Sequence, residues 1–162
     1  MLLREPYYME NMGRDQPYLS MLLIAPYCTF KCKGCQNKHL GQNQTKNFST
    51  KELQNIYKSN PFFQGVTIAG LEIFDSGEKF QEDFINFISY EKITKVTVYT
   101  RYKKDSKEVL NLVKKIKALK NIENFYIKTG EFRLQEKNEN TVKIGNWEIL
   151  LYNKEQDFQQ LI

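Results

Sequence analysis

The chain has 162 residues, of which 41% are hydrophobic, and this suffices for one domain with a hydrophobic core. Its longest apolar run, Met21–Ala25, has the length of a strand and falls far short of the about 20 residues that span a membrane. The first residues also lack the basic-then-apolar order of a signal peptide. We therefore expect a cytoplasmic protein with no membrane partner, whose thiols stay reduced.

The net charge of +5 comes largely from lysines within residues 112–120. We interpret them as the solvated face of an amphipathic helix. A docking surface for an acidic protein or for nucleic acid is the less favoured interpretation, and a nucleic-acid partner is not what we predict. We expect residues 1–162 to form a single domain, with a core over about 18–132 and an extension over about 133–162.

The first half of the chain alternates strand and helix signals. Residues 18–26 are a nearly continuous apolar run, which predicts a buried strand. A capping box, with Ser49 at the N-cap and Glu52 three residues later, predicts the start of a helix. A short strand follows over residues 65–70. The next helix should bury an apolar stripe formed by Phe80, Phe84, Phe87 and Ile88.

The second half continues this order. β-Branched residues over 94–100 predict a third strand, and Asp105 is the predicted N-cap of a third helix. Residues 124–130 predict a fourth strand. The tail looks like a hairpin around Gly145–Asn146, a pair suited to a type II′ turn. Residues 42–48 and 135–140 are predicted to be exposed loops.

This order predicts an α/β fold. Successive strand–helix–strand units require right-handed crossovers and a mostly parallel sheet with helices outside it. We expect a short, incomplete (βα) barrel or an open, mostly parallel sheet, with a C-terminal β-hairpin.

All three cysteines of the chain lie after the first predicted strand, at Cys28, Cys32 and Cys35. Thiolates spaced C-x3-C-x2-C most often converge on a bound metal. Cys32 and Cys35 alone would suit a redox pair. With His39, the chain's single histidine, the loop would suit a Cys3His zinc site in a non-catalytic binding module. A four-iron cluster would have three thiolate ligands and one iron without a protein ligand.

The cysteine spacing after the first strand resembles the signature of radical S-adenosylmethionine (SAM) enzymes. The fuller string CTFKCKGCQN is similar to that of the activating proteins of anaerobic ribonucleotide reductase. Three more strings resemble that family's motifs in the right order: VTIAGLEIFD, VYTRY and YIKTGEF. The resemblance covers about residues 20–132, and it implies a radical SAM type of sheet.

The resemblance also implies a set of ligands. The three cysteines would hold a [4Fe-4S] cluster, and SAM would bind at the carboxyl ends of the strands. Ala69 and Gly70 stand at the family's glycine pair, and Glu72 at its acid, which would accept hydrogen bonds from the SAM amino group. Thr100 and Lys128 end the next strands and would contact ribose and carboxylate. Leu71 lies between the glycine pair and the acid, and Arg101 replaces a glycine of the third motif.

The implied function is radical generation by an anaerobic activase-type oxidoreductase. Its partner would be a glycyl-radical enzyme, such as the large subunit of anaerobic ribonucleotide reductase, and its electron would come from a low-potential donor such as flavodoxin. The alternatives are a radical SAM enzyme acting on a peptide or small metabolite, the zinc-binding module, and a degenerate radical SAM domain that binds a cluster without catalysis.

Overall fold

The computed structural model describes residues 1–13, 16–30, 32, 34–131, 140–151 and 156–162. It is a mixed α/β structure of strands and helices, with two short 3-10 turns at Lys38–Gln42 and Phe74–Ser76. The strands are β1 (Leu2–Arg4), β2 (Tyr8–Gly13), β3 (Gln16–Ile24), β4 (Thr45–Asn47), β5 (Gly65–Ala69), β6 (Lys95–Tyr99), β7 (Asn124–Thr129), β8 (Asn140–Ile144), β9 (Trp147–Leu151) and β10 (Asp157–Gln160). The helices are α1 (Thr50–Ser59), α2 (Glu78–Ile88) and α3 (Lys107–Lys117).

The main sheet has six strands in the order β10-β7-β6-β5-β3-β2. Its four middle strands are parallel, and the two outer strands pair antiparallel with their neighbours. Each of the parallel strands lies beside the next one in the chain, with one helix between them. The carboxyl ends of β3, β5, β6 and β7 therefore meet at one edge of the sheet.

One face of this sheet packs against the helices. Alternate strand residues such as Leu23, Ile68 and Val98 are completely buried there and belong to one hydrophobic cluster with the helices. The predicted apolar stripe of α2 is confirmed, since all of its residues are buried: Phe80, Phe84, Phe87 and Ile88.

The opposite face is partly polar and is covered by the β8–β9 hairpin. Thr97 Oγ1 and the buried Tyr18 hydroxyl share a hydrogen bond of 2.7 Å. Ile149 and Leu151 of the hairpin share a smaller hydrophobic cluster with Tyr18. The predicted turn is present, because Ile144 pairs with Trp147 and the intervening Gly145 has φ +58°, the sign that a type II′ turn needs at this position.

The helix starts show one confirmed prediction and one error. The capping box is present, with the Ser49 amide donating to Glu52 Oε2 at 2.7 Å and the Glu52 amide to Ser49 Oγ at 3.2 Å. The N-cap of α3 is Ser106 and not Asp105, because Ser106 Oγ accepts from the Val109 amide at 3.3 Å. Serine and aspartate are both favoured at the N-cap, so the sequence alone does not decide which of two adjacent candidates caps the helix.

The prediction of an exposed loop over residues 42–48 is confirmed in its exposure for residues 42 and 44–47, but it is wrong in the absence of a strand and in the exposure of Phe48. β4 lies within it and pairs antiparallel with β1, and Phe48 is 5% exposed. Residues 135–139 of the second predicted loop lie outside the described residues, and its last residue, Asn140, is the first residue of β8. Among the helices that the structure describes, none has the length and apolar character that a membrane span needs.

Candidate metal centre

A cleft of about 960 Å³ opens at the edge of the sheet where the parallel strands end. The predicted site residues other than Ala69 line it together: Cys28, Cys32, Cys35, Gly70, Glu72, Thr100 and Lys128. Ala69 lies at the end of β5, where its carbonyl accepts hydrogen bonds from the amides of Ala25 and Leu71. In open α/β sheets ligands bind at the carboxyl ends of the strands, so this cleft is where a ligand is expected.

The described residues of the cysteine segment (28–35) include a hydrogen bond between its last two cysteines. The Cys35 amide donates to the Cys32 carbonyl at 3.1 Å, and Gly34 between them has φ +76°, which a glycine adopts without strain. All three thiols are free, with Cys28 exposed and the other two half-buried. Burial, followed by the Glu131 carboxylate, raises the pKa of the Cys32 thiol to about 11, so metal binding there must displace a proton.

The three cysteines are the thiol donors that line the cleft. Within the described ranges, no three His, Cys, Asp or Glu side chains are grouped closely enough to hold one metal ion. His39, the fourth ligand of the zinc alternative, is exposed on the 3-10 turn and is not among the residues that line the cleft.

Gly70 is required by the backbone at the mouth of the cleft. Its φ is +84°, and a Cβ added there would lie 2.9 Å from Ile24 Cγ2. Only glycine meets both conditions without displacing β3. The chain then passes Leu71, which packs on the core, and reaches Glu72, whose amide donates to the Tyr27 carbonyl at 2.9 Å.

Glu72 connects two strand ends. Its carboxylate is 3% exposed and accepts hydrogen bonds from Thr100 Oγ1 at 2.8 Å, from the Phe74 amide at 3.2 Å and from the Arg101 amide at 3.0 Å. Burial raises the pKa of Glu72 in spite of these donors. The side chain is therefore held in place within the wall of the cleft.

Lys128 is held on the far side of the cleft. Its ammonium donates to the Leu150 carbonyl of the hairpin at 2.8 Å and lies 5.3 Å from the centre of the Tyr99 ring. The residue is 4% exposed, so its contribution to the cleft is a small polar surface beside β9.

The sequence did not predict the ionic contacts between the cysteine loop and the third motif. Asp75 accepts from the Thr29 amide at 2.7 Å and from Arg101 Nη2 at 3.3 Å. The Arg101 guanidinium also contacts the Phe30 ring, and its buried Nε lies 3.7 Å from Glu72 Oε2, without a hydrogen bond. The one signal in the sequence was that an arginine stands where the resembling family has glycine.

These features define an α/β protein with a thiol-lined cleft suited to an iron–sulfur cluster. The family model described as "4Fe-4S single cluster domain" matches residues 19–150. This is most of the chain, and the protein therefore belongs to that family. No curated protein matches the chain, and neither does any solved structure.

Proposed function

We propose that the protein generates a radical from SAM with its 4Fe-4S cluster. In this proposal Cys28, Cys32 and Cys35 each bind one iron, and the six-stranded sheet is an incomplete (βα) barrel of the radical SAM type. The observation that carries the proposal is the shared cleft, which brings the only three thiols of the chain to the carboxyl ends of its parallel strands.

The number of thiols supports an external ligand. A four-iron cluster normally takes four thiolates, and this chain has three cysteines. His39 does not line the cleft, so the fourth iron is left for another donor. The amino and carboxylate groups of SAM form a chelate that suits such an iron, and when bound the cluster would supply the electron that cleaves SAM to methionine and a 5′-deoxyadenosyl radical.

The protein's own residues would orient SAM. Gly70 lines the cleft, and its positive φ shapes the backbone at the end of β5 beside the proposed SAM site. A carboxylate has about four acceptor positions, and three on Glu72 are taken, which leaves one on Oε2 for the SAM amino group. Thr100 positions Glu72 and, like Lys128, lines the part of the cleft proposed for ribose and carboxylate.

We further propose that the radical is passed to a partner protein. The cleft opens at the sheet edge, which suits a segment presented by another protein better than an enclosed small molecule. The proposed partner is a glycyl-radical enzyme, such as the large subunit of anaerobic ribonucleotide reductase. The electron would come from a low-potential donor such as flavodoxin, in an anaerobic cytoplasm.

The first experiment measures SAM cleavage. Anaerobically reconstituted protein should bind about four iron atoms and form 5′-deoxyadenosine when given SAM and dithionite. Cys32→Ser is the matched variant that should lose both iron and product. A wild-type protein with a full cluster that forms no 5′-deoxyadenosine contradicts the proposal.

The second experiment tests the partner. The loaded protein is mixed with purified reductase large subunit, SAM and reductant, and a glycyl radical is sought by electron paramagnetic resonance (EPR). We expect a radical that requires all four components. If 5′-deoxyadenosine forms while no glycyl radical appears, the activase assignment is wrong and a peptide or small-metabolite substrate takes its place.

A further inference from the structure

The N-terminal strand closes the base of the cysteine loop. β1 pairs antiparallel with β4, and Leu3 lies opposite Lys46 in this pair. The Leu3 side chain is completely buried. Beyond the pair, the Glu5 amide donates to the Gln44 carbonyl at 2.8 Å. The chain thus leaves the sheet at the end of β3, carries all three cysteines, and returns to the N-terminal strand.

Arg4 bridges the two sides of this loop. Its Nε donates to the Pro26 carbonyl at 2.6 Å, just before the first cysteine, and its Nη1 donates to the Gly41 carbonyl at 3.1 Å and to the Asn43 carbonyl, beyond the last. The guanidinium also lies 5.7 Å from the centre of the Tyr27 ring. A planar group with several fixed donors can hold such acceptors at once, which an ammonium on a flexible stem cannot.

Arg4 is also one of the charged residues that line the cysteine cleft. Arg4 lines the cleft together with the three thiols, and no carboxylate among the described residues lies within ion-pair distance of it. Three thiolates add negative charge to this space. A nearby cation stabilises such a group and raises the potential of a cluster bound by it.

We propose that Arg4 is the positioning residue of the cluster site, holding the ends of the cysteine loop together and placing a positive charge beside the cluster. Arg4 precedes residues 19–150, so it lies outside the part of the chain that the family model matches. The proposal depends on the cluster and not on SAM cleavage, so it can fail or succeed independently of the proposed radical chemistry.

The test compares Arg4→Gln, Arg4→Lys and a matched control, Lys51→Gln, which removes one positive charge from the exposed surface of α1. Iron release to a chelator is measured on each reconstituted protein. Because hydrogen bonds from a charged donor are lost at the base of the loop, Arg4→Gln should release iron about tenfold faster than wild type. The control should match wild type.

Two further measurements separate positioning from a general effect on folding. Hydrogen exchange of the cluster-free proteins should accelerate in residues 26–43 of Arg4→Gln and remain unchanged in α3. The midpoint potential of the cluster should fall in Arg4→Gln and stay near wild type in Arg4→Lys, which keeps the charge but not the planar group.

The outcomes that overturn the proposal are distinct. Iron release from Arg4→Gln equal to that of Lys51→Gln would remove the positioning role. Acceleration of exchange throughout the chain would show that Arg4 supports the whole fold and not the loop. An unchanged potential in Arg4→Gln would remove the electrostatic part.

Discussion

Replacing Asp75 with asparagine should loosen the connection between the cysteine loop and strand β6. The Asp75 side chain is 6% exposed and accepts from the Thr29 amide, from Thr29 Oγ1 at 2.9 Å and from Arg101 Nη2. Asparagine has the same shape but no charge, and its amide group is a donor where these contacts require an acceptor. The substitution therefore weakens the contacts with both Thr29 and Arg101 without creating a cavity.

The expected loss follows from these contacts. A hydrogen bond to a charged group contributes about 1.5–3 kcal/mol, and breaking a buried ion pair costs about 3–5 kcal/mol. In the variant, the Arg101 charge still has a neighbouring carboxylate, because Glu72 Oε2 lies 3.7 Å from Arg101 Nε. We therefore expect Asp75→Asn to lower the free energy of unfolding by about 2–4 kcal/mol, and Tm by about 5–15 °C.

The effect should depend on pH. Burial opposes ionisation of Asp75, but the Thr29 hydrogen bonds and the Arg101 charge outweigh it and lower the pKa of this carboxyl. A folded-state pKa below the ordinary value of about 3.9 gives stability that is present above that pH and is lost as pH falls through the folded-state pKa. The difference between wild type and variant should therefore shrink below about pH 4.

The assay is urea unfolding of the cluster-free protein, followed by circular dichroism under reducing conditions at neutral and acid pH. Asp105→Asn is the matched control, since Asp105 is exposed and does not cap α3. Equal stabilities of the two variants at neutral pH, or a difference that does not change with pH, would refute the reasoning.

Three other substitutions test separate parts of the structure. Gly70→Ala should cost about 2–4 kcal/mol in urea unfolding, because positive φ and the close contact with Ile24 both oppose a side chain. Gly77→Ala has open space around it, but φ +86° and ψ 165° place it in a backbone region that essentially only glycine adopts, so it should cost about 1–3 kcal/mol from the backbone alone; a cost above that of Gly70→Ala would contradict the steric argument. Ser49→Ala removes the capping box and should cost about 1 kcal/mol by the same assay; no loss would show that the cap adds nothing. His39→Ala should leave the iron content of reconstituted protein unchanged, and loss of metal would favour the Cys3His zinc site.

Much of the fold was predictable because its periodic signals are local. The parallel strands are short apolar or β-branched runs, and the helices bury stripes at helical spacing, so α1, α2 and α3 were expected close to where they lie. β1, β4 and β10 are three or four residues long and gain their structure from partners far away in the chain. Such strands carry too little pattern of their own to be predicted.

In the candidate site too, some residues were predictable from local sequence strings and others were not. The cysteines, Gly70 and Glu72 belong to compact strings, and they were predicted to come together at one sheet edge, where the structure places them. The roles of Arg4 and Asp75 depend on carbonyls, amides and an arginine more than 20 residues away in the chain. No spacing rule in a single sequence reveals such contacts, since they exist only after the loop has folded against the sheet.

The most direct test of the proposed chemistry is the EPR spectrum of the dithionite-reduced, reconstituted protein, recorded with and without SAM. If the fourth iron is open, SAM binds to it and the spectrum of the reduced cluster changes, while a SAM analogue that lacks the amino group leaves it unaltered. A spectrum that stays the same at saturating SAM, in protein with a full complement of iron, would show that the cluster does not bind SAM and would contradict the account.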